Sequence, residues 1–370
     1  MLLPRTARLA RTAPLARRAM SSSPAPVSLL TPAELATLLS ADKPPVVLDA
    51  SAHMPAAKRY PFAEYRHKRI AGAGFWDVDQ IASPSERGIP HNMPPKAMFE
   101  DACSRLAIQR DDHVVLYDSI GIFSAPRTAF TFKHFGHERV SVLDGGLPRW
   151  LAEGYKIDTE RPTNPNPHAV EEGAGGAPAK AQFRPILSEL LWAHKPRIES
   201  YFIADIEEEF TEYKAGEERD DVRQWDDIDA NIDKGDDGAL VVDARSAGRF
   251  HGTEPEPREG LSSGHMPYAF SLPFQSVLTA ESSTDPSYKT FLPPAELEKV
   301  FVRAMGEEKW AAVKRGDKPV IATCGSGMTA AVLWLALQRA GAPPIDIYDE
   351  AELDRSQSRP RPSEAVIAHT

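Results

Sequence analysis

Short continuous apolar runs, each closing on a polar residue, recur along the chain in pairs. Val46-Val47-Leu48-Asp49-Ala50 is answered by Leu240-Val241-Val242-Asp243-Ala244. Runs this short, β-branched and without polar alternation predict strands buried on both faces of a parallel sheet, with polar groups at their carboxyl ends. A second pair follows: Val114-Val115-Leu116-Tyr117 enters the turn Asp118 to Ser124 before an Ala/Phe-rich helix. Its counterpart Val320-Ile321-Ala322-Thr323 enters Cys324 to Met328 before a helix over Thr329 to Ala340, stopped at Gly341. Between the pairs, Ile70-Ala71-Gly72-Ala73 answers to Met266-Pro267-Tyr268-Ala269. Strands alternating with helical stretches, twice over, predict two related α/β domains in tandem, each with a mostly parallel sheet flanked by helices.

The length of 370 residues accommodates two such domains with segments to spare. The boundaries expected are 27–157 and 222–349. The first 26 residues, with Arg5, Arg8, Arg11, Arg17 and Arg18 and no acid, have the composition of a mitochondrial transit peptide. Met20 before Ser21-Ser22-Ser23 offers a second start and a cytoplasmic form. Residues 158–185, rich in proline with Gly173, Gly175 and Gly176, read as a linker. Residues 186–221, with Glu207-Glu208-Glu209 and Glu217-Glu218, read as a solvated helical insertion. The formal charge is -10, from 43 basic and 53 acidic residues, which disfavours nucleic acid as a direct partner. No apolar stretch reaches the length of a membrane span, so no membrane association is expected.

Only two cysteines occur, Cys103 and Cys324. That number excludes a disulfide framework and a cysteine-based metal site, and no metal or cofactor is expected. Cys103, within Phe99 to Leu106, fits the apolar face of a helix and reads as core packing. Cys324 stands at the turn after a central strand, where open α/β sheets bind ligands, and the repeat sets Asp118 at the same place in the first half. In Thr323-Cys324-Gly325-Ser326-Gly327-Met328-Thr329 the two glycines permit left-handed turns. Exposed N–H groups and the following helix terminus would favour an anionic sulfur there. Thr329 is expected to cap that helix.

Several long motifs carry a family resemblance. The segments are Cys324 to Thr329, Asp243-Ala244-Arg245-Ser246-Ala247-Gly248-Arg249-Phe250, Gly252 to Arg258, Ser263-Gly264-His265-Met266-Pro267, Ser124-Ala125-Pro126-Arg127 and Leu143 to Leu147 with Trp150. Over roughly Val27 to Asp349 the chain resembles the two-domain rhodanese superfamily. Its active loop is similar to the C-G-S-G-V-T of the mercaptopyruvate branch, with Met328 for Val, and not to the C-R-K-G of the thiosulfate branch. The resemblance implies two tandem rhodanese-like domains, the first lacking the cysteine. It implies that Cys324 takes sulfur from 3-mercaptopyruvate as a persulfide, releases pyruvate and passes the sulfur to a thiol acceptor. A phosphatase of the same fold would need an arginine where Ala330 stands.

By the same resemblance Arg249 and Arg258 bind the substrate, with Gly325, Gly327, Met328 and Thr329 of the loop. Ser326, His91 and Asp79 form a proton relay, and His265 is structural. The acceptor would be thioredoxin or a small thiol. Two alternatives stay open: a thiosulfate sulfurtransferase, or an impaired sulfur carrier serving a tRNA-thiolation protein. The chain departs from the family at Tyr268, where glycine is usual, and at Arg69 and Ala71, where histidine and proline are usual. It departs again after Asp349, where residues 350–370 carry no tryptophan and are expected to be disordered.

Overall fold

The computed structural model describes residues 26–83, 90–160, 212–257 and 263–349. In the first half, β1 (Ser28–Leu30), β2 (Val46–Asp49), β4 (Gly74–Phe75), β5 (Val114–Tyr117) and β6 (Val140–Leu143) form a parallel sheet. Its order is β1-β6-β5-β2-β4. A two-stranded antiparallel ribbon of β3 (Arg69–Ile70) and β7 (Ile157–Asp158) closes this half. Its helices are α1 (Pro32–Leu39), α2 (Pro61–His67), α3 (Lys96–Arg105), α4 (Ala125–His134) and α5 (Gly146–Ala152).

The second half repeats the plan with β8 (Val222–Arg223), β9 (Leu240–Asp243), β10 (Ala269–Ser271), β11 (Val320–Thr323) and β12 (Asp346–Tyr348). Their order, β8-β12-β11-β9-β10, is again fully parallel. Helices α6 (Trp225–Asp233), α7 (Ala247–Phe250), α8 (Pro294–Met305), α9 (Glu307–Arg315) and α10 (Ala330–Arg339) accompany it. The register repeats too: Asp49 pairs with Tyr117 as Asp243 pairs with Thr323.

The central strands β5, β9 and β11 are buried along their whole length, which is why their sequences show no alternation. The helices after the two equivalent turns, α4 and α10, pack on each other, and the Phe130 and Trp334 rings meet edge to face at 5.2 Å. Each helix is therefore covered by its own sheet on one side and by the other half on the opposite side. This explains why all ten residues of α4 are buried, including Arg127, Lys133 and His134. One apolar cluster runs unbroken from Leu48, Leu116 and Phe130 to Val242, Val332 and Leu335, joining the halves. Cys103 lies in it at 0% exposure, as a core residue.

Residues 212–221, expected as part of a helical insertion, are instead an extended strap along the first half. Tyr213 packs edge-on to Phe99 and accepts or donates at His137 Nδ1 (2.9 Å), while Gly216 and Arg219 donate backbone hydrogen bonds to Phe135 and His134. Asp221 pairs with His134 at 2.7 Å. An acidic composition did not reveal this because the buried anchors are a single tyrosine, backbone groups and one acid, Asp221, whose histidine partner lies far away in the sequence. Arg69 is buried, ion-paired with Asp158 and set over the Tyr65 ring, so the β3–β7 ribbon accounts for that departure. Tyr268 has φ +63°, the left-handed turn that glycine would fill without strain. Residues 1–26, expected as a transit peptide, most of the linker and insertion, and the tail 350–370 fall almost wholly outside the described residues. Among the described residues no helix is long and apolar enough to cross a membrane, and no metal-ligating cluster occurs.

Candidate active site

Cys324 follows the last residue of β11, at the mouth of a cavity of about 180 Å³ lined by both halves. Met54 and Phe123 come from the first half; Arg245, Ser246, Arg249, Gly325, Ser326, Met328 and Thr329 come from the second. The Ser326 N–H points at Cys324 Sγ, 3.5 Å away. Of the two loop glycines only Gly327 takes a left-handed conformation, at φ +72°. A Cβ there would stand 2.9 Å from Arg127 Nη1 and 3.1 Å from Asp349 Oδ1, so no side chain fits. Gly327 thus faces the domain junction, while Gly325, Met328 and Thr329 face the cavity. Thr329 occupies the position before α10, but its hydroxyl makes no capping bond. Its backbone is already helical (ψ -19°), whereas a capping residue is normally extended.

The three residues expected to form a relay lie next to one another across the junction. His91 Nε2 lies 2.5 Å from Asp79 Oδ1, and His91 Nδ1 lies 3.4 Å from Ser326 Oγ. A nitrogen facing a carboxylate donates, so the proton sits on Nε2 and Nδ1 is left to accept from the serine hydroxyl. Asp79 is half-exposed, so this pair contributes little to stability and acts mainly by fixing the tautomer. Asp79 is itself placed by Asp77, whose Oδ1 accepts the N–H groups of Asp79 and Gln80 at 3.1 Å each. Burial pushes the Asp77 carboxyl up to about 6. His91 has φ +66°, and Arg127 Nη2 donates to its carbonyl at 2.7 Å, holding this unusual turn.

Arg249, expected to bind substrate, is equally constrained. Arg249 Nε and Nη2 donate to Glu256 Oε2 at 3.0 and 2.5 Å, and Arg245 Nη1 donates to Glu256 Oε1 at 2.9 Å. Arg245 is anchored in turn on the Asp243 carboxylate. Glu256 is buried and holds Arg249 beside the cavity, and Arg249 Nη1 makes no hydrogen bond among the described residues. Arg258 lies outside the described residues. Glu256, Arg127 and Asp349 were not singled out from sequence as site residues. The available signals were an acid framed by Pro255 and Pro257, and a cation in the first turn of the Ala/Phe-rich helix.

The first half closes its equivalent loop with its own carboxylate. Asp118 Oδ1 accepts the N–H groups of Ile120 (3.0 Å) and Gly121 (2.8 Å), and Oδ2 those of Phe123, Ser124 and Ala125 (2.9 to 3.0 Å). The anion nest expected around a nucleophile is present here, and it is filled. A further difference lies one strand away: where Arg245 pairs with Asp243, the first half has Ser51 beside Asp49. With no cation beside it, the Asp49 carboxyl is pushed up to about 7 by burial.

The fold and its duplication have counterparts among known proteins. A model of the rhodanese-like domain matches residues 31–153 and again 224–351. The chain is 35% identical over 320 residues to thiosulfate/3-mercaptopyruvate sulfurtransferase 1, mitochondrial, of Arabidopsis thaliana, covering 86% of this chain and 74% of that one. It is 31% identical to human 3-mercaptopyruvate sulfurtransferase, covering 88% and 89%. The crystal structure of SseA from Escherichia coli, described as a 3-mercaptopyruvate sulfotransferase of rhodanese fold, superposes with a TM-score of 0.62 at 25% identity, over 88% and 98% of the two chains. With its single cysteine loop, duplicated sheets and closed first-half counterpart, the chain belongs to the rhodanese family as a tandem of two rhodanese-like domains, and is a sulfurtransferase.

Proposed function

We propose that the chain transfers sulfur from 3-mercaptopyruvate to a thiol acceptor through a persulfide on Cys324. The Cys324 thiolate attacks the substrate sulfur, an S–S bond forms, and the C–S bond breaks with its electron pair on carbon. The resulting enolate takes one proton and leaves as pyruvate. An acceptor thiolate then attacks the outer sulfur and restores the Cys324 thiolate. Arg249 holds the substrate carboxylate, and Arg258 is assigned the same task by the family pattern. No metal or cofactor enters any step.

The observation that carries this reading is the chain Asp79–His91–Ser326 ending at the cysteine loop. Sulfite leaves thiosulfate as a stable anion and needs no proton, whereas a carbon leaving group does. A serine tied to a histidine beside the sulfur therefore favours mercaptopyruvate as donor. The basic N-terminal segment and the mitochondrial relative in Arabidopsis support a mitochondrial location.

The test is a comparison of both donors in the native protein, His91→Ala and Ser326→Ala. Mercaptopyruvate should be preferred, and each substitution should lower its kcat by about a hundredfold while thiosulfate turnover changes little. A native preference for thiosulfate, or equal losses with both donors, would favour the thiosulfate alternative. A folded protein inert toward both donors would favour the sulfur-carrier alternative.

A further inference from the structure

A groove of about 600 Å³, larger than the Cys324 cavity of about 180 Å³, lies apart from it, mostly on the first half. It is lined by Lys58, Arg59, Tyr60, Lys68 and Ser119, with Glu64 as its one acid. Two segments run from the active cavity into it. Met54 borders the cavity and, four to six residues later, Lys58, Arg59 and Tyr60 border the groove. In the loop after β5, Phe123 borders the cavity and Ser119 the groove. These segments are bonded to each other: Ser119 N donates to Ser51 Oγ (2.9 Å), Ala52 N to Ser124 Oγ (3.0 Å) and Arg59 Nη2 to Ser119 Oγ (3.3 Å). The two segments that border both groove and cavity are thus braced against each other.

Its chemistry is unusual for this molecule. Of the four exposed large apolar residues among those described, three stand on these two segments, Met54 (43%), Tyr60 (60%) and Ile120 (41%); the fourth, Tyr268, lies elsewhere. Arg59 is neutralised by a two-point pair with Glu64, but Lys58 and Lys68 make no ion pair among the described residues. On a chain of net charge -10, unpaired cations around exposed apolar groups form a local exception that orients an acidic partner. A three-carbon donor needs only the small cavity. A macromolecular thiol needs a place to rest while its sulfur reaches Cys324.

We infer that this groove docks the acidic surface of a thiol-bearing protein acceptor, with Lys58 and Lys68 meeting its carboxylates and Tyr60, Met54 and Ile120 its apolar contact. The inference rests on the sulfur-carrying role of Cys324. Protein is favoured over RNA because the anchors are apolar side chains standing clear of the surface, whereas phosphate recognition would call for a basic face throughout.

The test uses a synthetic acidic peptide with one cysteine, a lysine-rich peptide of equal length and a short single-stranded RNA. Binding is read by fluorescence anisotropy, and turnover with mercaptopyruvate is read with the peptides or dithiothreitol as acceptor. The acidic peptide should bind the native protein. Lys58→Glu/Lys68→Glu should weaken that binding and raise the peptide's KM about tenfold, and Tyr60→Ser about fivefold, with dithiothreitol turnover unchanged. Binding of the acidic peptide that ignores these substitutions, equal binding of the basic peptide, or tighter binding of the RNA would overturn the inference. Failure of dithiothreitol turnover in the native protein would instead defeat the donor reading, and the anisotropy measurement would still decide the docking.

Discussion

The guanidinium of Arg127, on a helix of the first half, is ion-paired with the carboxylate of Asp349, at the end of the last strand of the second half, and both are almost fully buried. The same arginine donates to the His91 carbonyl, and the same aspartate accepts the Met93 N–H at 2.5 Å. Gly327 leaves just enough room for the pair beneath the cysteine loop. The turn carrying His91 is thereby locked to the half that carries Ser326.

Arg127→Met strands a buried carboxylate and should cost about 3 to 5 kcal/mol, whereas adding Asp349→Leu should recover a large part of the loss. Urea unfolding of both single variants and the double variant measures the coupling. Losses that simply add would show that the pair does not join the halves.

Asp118→Ala removes the acceptor of five backbone N–H groups in a buried loop. A loss of about 3 kcal/mol or more is expected, with Asp118→Asn intermediate because one acceptor oxygen remains. Thermal unfolding that shifts by no more than a surface substitution would contradict the role given to this carboxylate.

Two buried groups should oppose each other in the pH dependence of stability. Burial pushes the His137 imidazole down to about 4 from 6.5, so between these values only the unfolded chain binds the proton and stability rises with pH. Its Nε2 faces the Asp112 carbonyl and must donate, while Nδ1 meets the Tyr213 hydroxyl, so the neutral ring is already satisfied. Asp49, up at about 7 from 3.8, keeps its proton only in the folded state, so its contribution falls as pH rises from about 4 to 7. Each is worth about 3 to 4 kcal/mol over its window. The native curve should be flat between pH 4 and 6.5 with respect to these two groups. Asp49→Asn should make stability climb with pH, and His137→Gln should make it decline. Parallel curves for all three proteins would refute both assignments.

Tyr268 is exposed and holds φ +63°. Tyr268→Gly should stabilise the fold by about 1 kcal/mol, since relief of the left-handed strain outweighs the added freedom of the unfolded chain. A lowered melting temperature would show that the ring makes a contact worth more than the strain.

The two thiols should differ in reactivity. Burial pushes the Cys103 thiol well above its ordinary range, and it sits among Phe99, Phe132 and other core residues, while Cys324 opens on a cavity. Iodoacetamide at mildly alkaline pH should label Cys324 and leave Cys103 intact, as read by peptide mass spectrometry. Comparable labelling of both would contradict the buried position of Cys103.

Much of this molecule is determined locally and was therefore legible in the chain. Apolar runs such as Leu240 to Asp243 have no polar face to offer water, so they become the central strands of parallel sheets whatever surrounds them. The repeat followed from those runs, and the cysteine loop from its glycines and the helix behind it. The family pattern pointed to Asp79, His91 and Ser326, and the fold sets these three side chains side by side, although 235 residues separate the last two. The roles of Glu256, Arg127, Asp349 and the strap around Tyr213 were decided only in three dimensions. An isolated acid or arginine reads as a solvated residue, because its cost and its value depend on burial and on a partner the sequence does not place beside it. The same holds for Asp118: the repeat sets it opposite Cys324, but only the folded loop, turning five N–H groups inward, makes that carboxylate the filling of a loop whose counterpart in the second half borders an open cavity.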